Sequence, residues 1–321
     1  MNTNKSILEG IISEIRTIIP DDRVMTDEPM NRHTSFRIGG PAAVFVTVND
    51  ERELSGLLKL LSKLPGEDPD NVPEHMIIGR GSNFLVADEG YPGIMIMLGG
   101  EFEEISQDAE DECLVTAGAA RSLGSTSSFL TENGLAGAEF ASGIPGSVGG
   151  AVFMNAGAYG GEMKDIVETV RLMEPDGSKI ITLTSDQMDF GYRHSMVEES
   201  GMIVLSAALR LEKDDPEAIM ERVLDLQNRR NSKQPVNYPS AGSTFKRPVG
   251  GYAAALIDQA GLKGYSIGGA QVSEKHAGFV INTGGATAED VLALMRHIRE
   301  EVYKTSGIML EPEVRLIGCS L

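Results

Sequence analysis

A stretch of small, uncharged residues constrains this chain of 321 residues more than any other feature. Between residues 143 and 161 it reads GIPGSVGGAVFMNAGAYGG, with seven glycines in nineteen residues and no charged side chain from Phe140 to Gly161. Glycine in an ordered element costs about 0.5–1 kcal/mol relative to alanine. We expect this cost to be offset by the close approach of backbone N–H groups to a large, anionic ligand.

Length and composition limit the class of protein. A chain of 321 residues exceeds the size at which one hydrophobic core keeps growing, so two or three domains are expected. Its two cysteines, Cys113 and Cys319, suit neither a disulfide framework nor a metal site, and we expect no metal. In the N-terminal segment, residues 1–20, apolar residues recur at helical spacing and charged residues interrupt them. This pattern predicts an amphipathic helix rather than a signal peptide. No segment is apolar enough for a membrane span, so we expect a cytoplasmic protein without a membrane partner.

The charge distribution narrows the choice of partner. A net charge of −19 argues against nucleic acid and anionic membranes. Residues 226–257 nevertheless contain five basic side chains and no acidic one, which indicates a site for an anionic small molecule. The alternative is a basic helix end followed by a solvated loop, because basic residues also favour helix C-termini. The five are Arg229, Arg230, Lys233, Lys246 and Arg247.

Hydrophobic periodicity predicts an α+β protein in three segments. Residues 1–83 form an α/β segment in which a strand at 43–48 leads into a helix capped by Asn49 or Asp50. A strand at 76–78 follows, after a surface loop at 65–73. Residues 84–212 predict a mostly antiparallel domain of short strands with one helix. Residues 213–321 predict helices at 216–231, 253–260 and 287–305, a strand at 278–282 and an extended end at 310–318.

Four short motifs contain side chains suited to binding or catalysis, and each alone is weak. Gly79-Arg80-Gly81-Ser82-Asn83 follows a strand and suits a phosphate, although a plain tight turn explains it nearly as well. An arginine lies in FGYRHS at 190–195, where it suits a carboxylate or a surface turn. Ser243 lies beside glycine in the basic segment, and the apolar residues after Glu311-Pro312-Glu313 suggest that one of these two carboxylates is drawn inward.

Taken together and in order, these motifs resemble the UDP-N-acetylenolpyruvoylglucosamine reductase family, also called UDP-N-acetylmuramate dehydrogenases. The resemblance extends over almost the whole chain, through NRHTSFRIGG, GRGSN, SGIPGSVGGAVFMNAGAYG, FGYRHS, KQPVNYPSAGSTFKRP, GGAQVSEKHAGFVIN and LEPEVRLIG. It implies a two-domain FAD-binding unit of the PCMH/vanillyl-alcohol-oxidase type, followed by an α+β substrate-binding domain. The boundaries expected here are 1–83, 84–212 and 213–321, and the form is the one that lacks an extra tyrosine-bearing loop.

The resemblance implies noncovalent FAD and NADPH as cofactors. NADPH reduces FAD, which passes the hydride to UDP-N-acetylglucosamine enolpyruvate to give UDP-N-acetylmuramate, a precursor of cell-wall peptidoglycan. The residues implied in FAD binding lie in two glycine-rich segments: Gly79, Arg80, Gly81, Ser82 and Asn83, then Ser142, Gly143, Ile144, Pro145, Gly146, Ser147, Gly149, Gly150, Asn155, Ala156 and Gly157.

The same resemblance implies three catalytic residues. Arg193 and Glu313 match the residues that stabilise the enolate-like intermediate, and Ser243 matches the proton donor to the substrate C2. Because an anion beside the developing charge would oppose it, we expect Glu313 to be protonated or to act through a hydrogen bond. The implied substrate-binding residues are Tyr192, Arg229, Lys233, Tyr238, Lys246 and Arg247; other family members have asparagine where this chain has Arg247.

Two other functions remain open at this point. One is a related oxidase with covalently attached flavin, although His33 precedes the glycines of the 34–40 loop rather than following them. The other is a noncatalytic protein that binds a nucleotide sugar, which the presence of Arg193, Ser243 and Glu313 disfavours. No obligate protein partner is evident.

Overall fold

The computed structural model describes residues 2–63 and 74–321; the loop predicted at 65–73 lies outside them. The chain forms two compact units, each built from separate stretches of sequence. The first unit contains residues 1–25, 44–80 and 94–228, and the second contains residues 26–43, 81–93 and 229–321. The expected boundaries at residues 83 and 212 stay a prediction.

The described residues contain both helices and strands, in agreement with the α+β prediction. The helices are α1 Asn2–Ile15, α2 Glu51–Leu61, α3 Leu123–Glu132, α4 Val148–Phe153, α5 Val197–Ser200, α6 Pro216–Lys233, α7 Ala253–Gln259 and α8 Ala288–Ser306. The strands before α4 are β1 Val24–Pro29, β2 Pro41–Val48, β3 His75–Ile78, β4 Phe84–Val86, β5 Tyr91–Leu98, β6 Ile105–Gln107, β7 Leu114–Gly118 and β8 Leu135–Ala136. Those after it are β9 Gly157–Ala158, β10 Gly161–Glu162, β11 Val167–Met173, β12 Ile180–Thr184, β13 Ile203–Arg210, β14 Glu212–Lys213, β15 Ser266–Ile267, β16 Ala270–Val272, β17 Val280–Asn282 and β18 Arg315–Ile317.

The first unit contains the predicted strand–helix–strand segment. Helix α2 begins because the Asp50 side chain accepts from the N–H groups of Arg52 and Glu53, which confirms one of the two predicted caps. Its buried residues are Leu54, Leu57, Leu58 and Leu61. Strand β3 runs parallel to β5 in a four-stranded sheet of order β1-β2-β5-β3.

A five-stranded antiparallel sheet of order β12-β11-β13-β7-β6 supplies most of the rest of the first unit. Its central strand β13 pairs on both sides, with Ala207 opposite Val170 of β11 and Ala117 of β7. The predicted helix α3 lies after this sheet's strand β7, capped by Ser122 and followed by Gly134. The mostly antiparallel character predicted for this part of the chain is confirmed.

The glycine-rich stretch folds into a helix and a hairpin. Ser147 caps the short helix α4 by accepting from the N–H of Gly150 at 3.3 Å, and a turn with positive φ at Tyr159 and Gly160 joins β9 to β10. The sequence analysis did not predict this helix. Its apolar positions Val148, Ala151 and Val152 are buried, which compensates for the poor helix propensity of the two intervening glycines.

The second unit packs around α8. Thr287 and Asp290 form a capping box at the start of the predicted helix, which ends at Gly307 with φ 71°. The buried face of α8 belongs to the same core as the three-stranded antiparallel sheet β15-β16-β17. Strand β18 pairs in parallel with β4, so the predicted extended C-terminal segment is confirmed over Arg315–Ile317. None of the helices in the described ranges is long and apolar enough to cross a membrane.

Candidate active site

In the first unit, Arg193 lies near the tip of a tight turn. The N–H of Gly191 donates to the carbonyl of His194 at 3.1 Å, and the N–H of His194 donates back to the carbonyl of Gly191 at 3.3 Å. Arg193 has φ 55°, the left-handed region that costs a non-glycine residue about 1–2 kcal/mol. Its guanidinium lies 5.2 Å from the centroid of the Tyr192 ring, which is half exposed. The FGYRHS motif is therefore a shaped turn that presents an arginine.

In the second unit, Ser243 and Glu313 lie on two chain segments that pair with each other. The N–H of Glu313 donates to the carbonyl of Thr244 at 2.9 Å, and the N–H of Lys246 donates to the carbonyl of Glu311 at 2.8 Å. These bonds flank an antiparallel bridge between Phe245 and Pro312. Main-chain pairing thus brings together two of the three predicted catalytic residues.

A third strand segment fixes Thr244 between its neighbours. The N–H of Thr244 donates to the carbonyl of Gly278 at 2.9 Å, and the Thr244 hydroxyl accepts from the N–H of Val280 at 3.0 Å. Thr244 is buried, and Ser243 directly before it is only half buried. The serine hydroxyl is therefore attached to a rigid backbone at the edge of the unit's core.

Asn83, predicted to bind FAD, also supports Glu313. Its side-chain amide donates to the carbonyl of Glu313 at 3.1 Å, and its own carbonyl accepts from the N–H of Arg315 at 2.9 Å. The two segments continue as the parallel pair β4 and β18. The link joins residues 230 positions apart, so the local sequence pattern does not predict it.

His276 lies in the same region. Its Nδ1 accepts from the N–H of Gly278 at 3.2 Å, and its ring meets Phe279 edge-on at 5.0 Å. Burial lowers the pKa of the His276 imidazole from its ordinary value; a backbone hydrogen bond opposes this shift, and the smaller effect of nearby Lys263 adds to it.

Each unit offers backbone N–H groups suited to an anionic ligand. Within the described ranges, the N–H groups of Gly146 and Ser147 in the first unit donate to no protein acceptor, nor do those of Gly81 and Ser82 in the second. Ser147 and Gly81 are buried, and a buried N–H group without an acceptor is costly. In each unit such donors suit an anionic group, and the role of both segments in FAD binding stays a prediction.

Packing inside the protein accounts for another part of the glycine requirement. A Cβ at Gly161 would lie 2.7 Å from an atom of the Phe140 ring, and one at Gly157 would lie 2.7 Å from the carbonyl oxygen of Gly161. At these two positions the protein's own neighbours exclude a larger residue, whether or not a ligand is bound.

The basic side chains predicted to bind substrate lie on the surface of the second unit. Arg229 and Lys233 are four residues apart near the C-terminal end of α6, and therefore on one face of the helix. The guanidinium of Arg247 lies 4.6 Å from the centroid of the Tyr252 ring. Lys246 and Tyr238 are exposed as well, whereas Arg230 is half buried. Among the described residues no cluster suits a metal ion.

Two known protein families match separate parts of the chain. Residues 42–183 match an FAD binding domain, and residues 234–317 match the C-terminal domain of UDP-N-acetylenolpyruvoylglucosamine reductase. A curated protein of the latter name from Agathobacter rectalis is 47% identical over 97% of this chain and 99% of its own. The chain belongs to the UDP-N-acetylenolpyruvoylglucosamine reductase family.

Two further relatives support the family assignment. The reductase of Clostridioides difficile is 46% identical over 97% of this chain and 98% of its own. The crystal structure of the enzyme from Thermus caldophilus is 34% identical, covers 92% of this chain and 98% of its own, and has a TM-score of 0.76. Together with the FAD binding domain, they make the protein an FAD-dependent oxidoreductase, and the predicted fold class is confirmed.

Proposed function

We propose that this protein reduces UDP-N-acetylglucosamine enolpyruvate to UDP-N-acetylmuramate in the cytoplasm, with NADPH as reductant, as a step in peptidoglycan synthesis. The activity for which the relatives are named supports the substrate, because they match this chain along nearly their full length. The structural observation that carries the proposal is the paired arrangement of Ser243 and Glu313 around Thr244.

The reaction adds two hydrogen atoms across the enolpyruvyl double bond, one as a hydride at the methylene carbon and one as a proton at C2. FAD, when bound, takes the hydride from NADPH and supplies it to the substrate. Negative charge then develops at C2 and spreads into the substrate carboxylate. Fixed donors aimed at such a charge are worth several kcal/mol, because they need no reorganisation as the charge appears.

The three predicted catalytic residues have distinct roles in this proposal. The planar guanidinium of Arg193 suits the carboxylate on which the charge develops. Glu313 stabilises the same intermediate, and Ser243 delivers the proton to C2. A serine hydroxyl is a weak acid, but a carbanion-like centre is basic enough to take its proton when the two are well aligned.

Binding is divided among other residues. The N–H groups of Gly81, Ser82, Gly146 and Ser147, which donate to no acceptor within the described residues, would contact FAD, with Gly79, Arg80, Ala156 and Gly157 in the same segments. The basic residues of the second unit would bind the UDP pyrophosphate and the substrate carboxylate. Their local positive charge in a protein of net charge −19 supports this assignment.

The test follows the flavin absorbance of the purified protein without oxygen. NADPH should bleach the yellow flavin, and UDP-N-acetylglucosamine enolpyruvate should restore the colour, with a product that contains two more hydrogen atoms. A colourless protein would favour the noncatalytic nucleotide-sugar binder. Flavin that stays bound after denaturation and is reoxidised only by oxygen would favour the oxidase.

A further inference from the structure

The turn that presents Arg193 is tied to the glycine-rich stretch at two points. The side-chain amide of Asn155 donates to the carbonyl of Gly191 at 3.0 Å. The hydroxyl of Ser195 donates to the carbonyl of Phe153 at 2.8 Å. These two bonds lie two residues before and two residues after Arg193, so they bracket it.

Both side chains are fully buried, at 0% exposure, which makes their hydrogen bonds hard to replace by water. The base of the loop is closed separately, because the N–H of Met196 donates to the carbonyl of Met188 at 2.8 Å. Asn155 and Ser195 therefore add to a loop that is already closed. They attach the part of the loop that contains Arg193 to the C-terminal end of α4.

The amide of Asn155 is oriented by its own partners. Its Oδ1 accepts from the N–H of Lys164 at 2.9 Å, and its Nδ2 also donates to Oε2 of Glu162 at 2.9 Å. Glu162 is held in turn by an ion pair with Lys164. The oxygen and both amide hydrogens are thus engaged within the protein, which fixes the orientation of the Asn155 amide.

We infer that Asn155 and Ser195 are positioning residues for Arg193. They hold the strained turn against α4, so that the guanidinium has one fixed place relative to the glycine-rich stretch. This inference rests on the proposed function, because it assigns Arg193 to the reduction of the substrate. Neither side chain needs to touch substrate or flavin to have this effect.

The experiment uses full-length, FAD-loaded protein and measures two single-turnover rates without oxygen. One is flavin reduction by NADPH, and the other is reoxidation of the reduced flavin by UDP-N-acetylglucosamine enolpyruvate. Ser195→Ala removes only the bond to Phe153 and is the primary variant. Asn155→Asp removes the bond to Gly191 together with the bond to Glu162, and it is used if Ser195→Ala does not fold. We expect reoxidation to slow roughly 10- to 100-fold, as for other small displacements of a catalytic group, while reduction changes little.

Coupling to Arg193 separates positioning from a general structural role. If Ser195 acts through Arg193, adding Ser195→Ala to Arg193→Ala should slow reoxidation no further than Arg193→Ala alone. The matched control is Ser55→Ala, which removes a hydroxyl-to-carbonyl hydrogen bond of 2.7 Å to Gly177 elsewhere in the first unit. It should lower stability without changing the ratio of the two rates.

Two kinds of result would overturn the inference. Equal slowing of both rates, or additive losses in the double variant, would show that Asn155 and Ser195 do not act through Arg193. If Arg193→Ala slows flavin reoxidation but Ser195→Ala and Asn155→Asp leave it at the wild-type rate, only the positioning role of Asn155 and Ser195 is rejected. Wild-type reoxidation in Arg193→Ala itself would instead reject its proposed catalytic role.

Discussion

The two units hold their predicted catalytic residues in different ways. In the first, side chains fasten the Arg193 turn, through the Asn155 amide and the Ser195 hydroxyl. In the second, main-chain hydrogen bonds pair the segment that contains Thr244 with the segment that contains Glu313. Main-chain pairing survives most side-chain substitutions, whereas a side-chain bond is lost with one atom. Catalysis should therefore be more sensitive to substitutions around Arg193 than to those around Ser243 and Glu313.

Among the substitutions that test how the two units hold these residues, Arg193→Ala should have the largest effect on substrate reduction. Removing one donor to a developing negative charge costs about 10²–10³-fold in rate, so flavin reoxidation should slow by that amount while reduction by NADPH is spared. Arg193→Gly should slow reoxidation equally, yet be more stable than Arg193→Ala by about 1 kcal/mol, because glycine accepts φ 55° without strain. Stopped-flow absorbance and urea unfolding measure the two quantities. Equal stabilities of the two variants would contradict the strained turn.

Thr244→Val tests the main-chain side of the comparison. The substitution preserves shape but leaves the buried N–H of Val280 without its acceptor, so the free energy of unfolding should fall by about 1–3 kcal/mol. Because the pairing of Thr244 with Glu313 uses backbone atoms, reoxidation of the variant's flavin should stay within a few-fold of wild type. A loss as large as that of Arg193→Ala would show that the second unit also depends on side-chain bonds.

A partly buried ion pair in the first unit should make its stability sensitive to acid. Arg23 donates to both carboxylate oxygens of Glu53 at 2.7 and 2.6 Å, and this bonding lowers the pKa of Glu53 below its ordinary value of 4.5. The pair's contribution is therefore present above pH 4.5 and is lost as the pH falls through the lowered pKa.

Glu53→Gln measures that contribution. Unfolding in urea from pH 7 to pH 3 should show a wild-type advantage of about 1.5–3 kcal/mol at neutral pH, which shrinks toward acid. An advantage that stays constant with pH would argue against the ion pair as its source.

The smallest effect is expected at the start of α8 in the second unit. The carboxylate of Asp88 accepts from the N–H groups of Ala288 and Glu289 at 2.8 and 3.0 Å, beside the cap formed by Thr287. Asp88→Ala should cost about 0.5–1 kcal/mol of unfolding free energy, since the Thr287 cap remains. Glu89→Ala removes the same charge one residue away and serves as the control. Equal effects of the two variants would mean that only net charge matters here.

Local features of the fold were predictable because their causes are local. Asp50, Ser122 and Thr287 each cap a helix within three residues of the N–H groups they accept from, so sequence spacing predicts them. Helix α4 was not predicted, because glycine obscures its periodicity and only burial of its apolar face stabilises it. Each unit is built from separate stretches of the chain, such as residues 26–43 and 81–93 of the second unit. The local amino-acid composition does not show which stretches belong to the same unit.

The candidate site divides in the same way. The motifs pointed to Arg193, Ser243 and Glu313, and their roles remain predictions. The residues that support them, Asn155 and Asn83, act on groups 36 and 230 positions away. Such partners depend on the three-dimensional path of the chain, which no spacing rule describes. For Asn155, the only signal in the sequence is an isolated amide side chain within a stretch of small, uncharged residues.

Ser243→Ala tests the central claim most directly, since it removes only the proposed proton donor. In anaerobic stopped flow, NADPH should bleach the flavin of this variant at the wild-type rate. Reoxidation by UDP-N-acetylglucosamine enolpyruvate should then be slower by roughly 10²–10⁴-fold, the usual contribution of a positioned acid. Equal loss of both steps, or reoxidation at the wild-type rate, would contradict the role of Ser243 as proton donor.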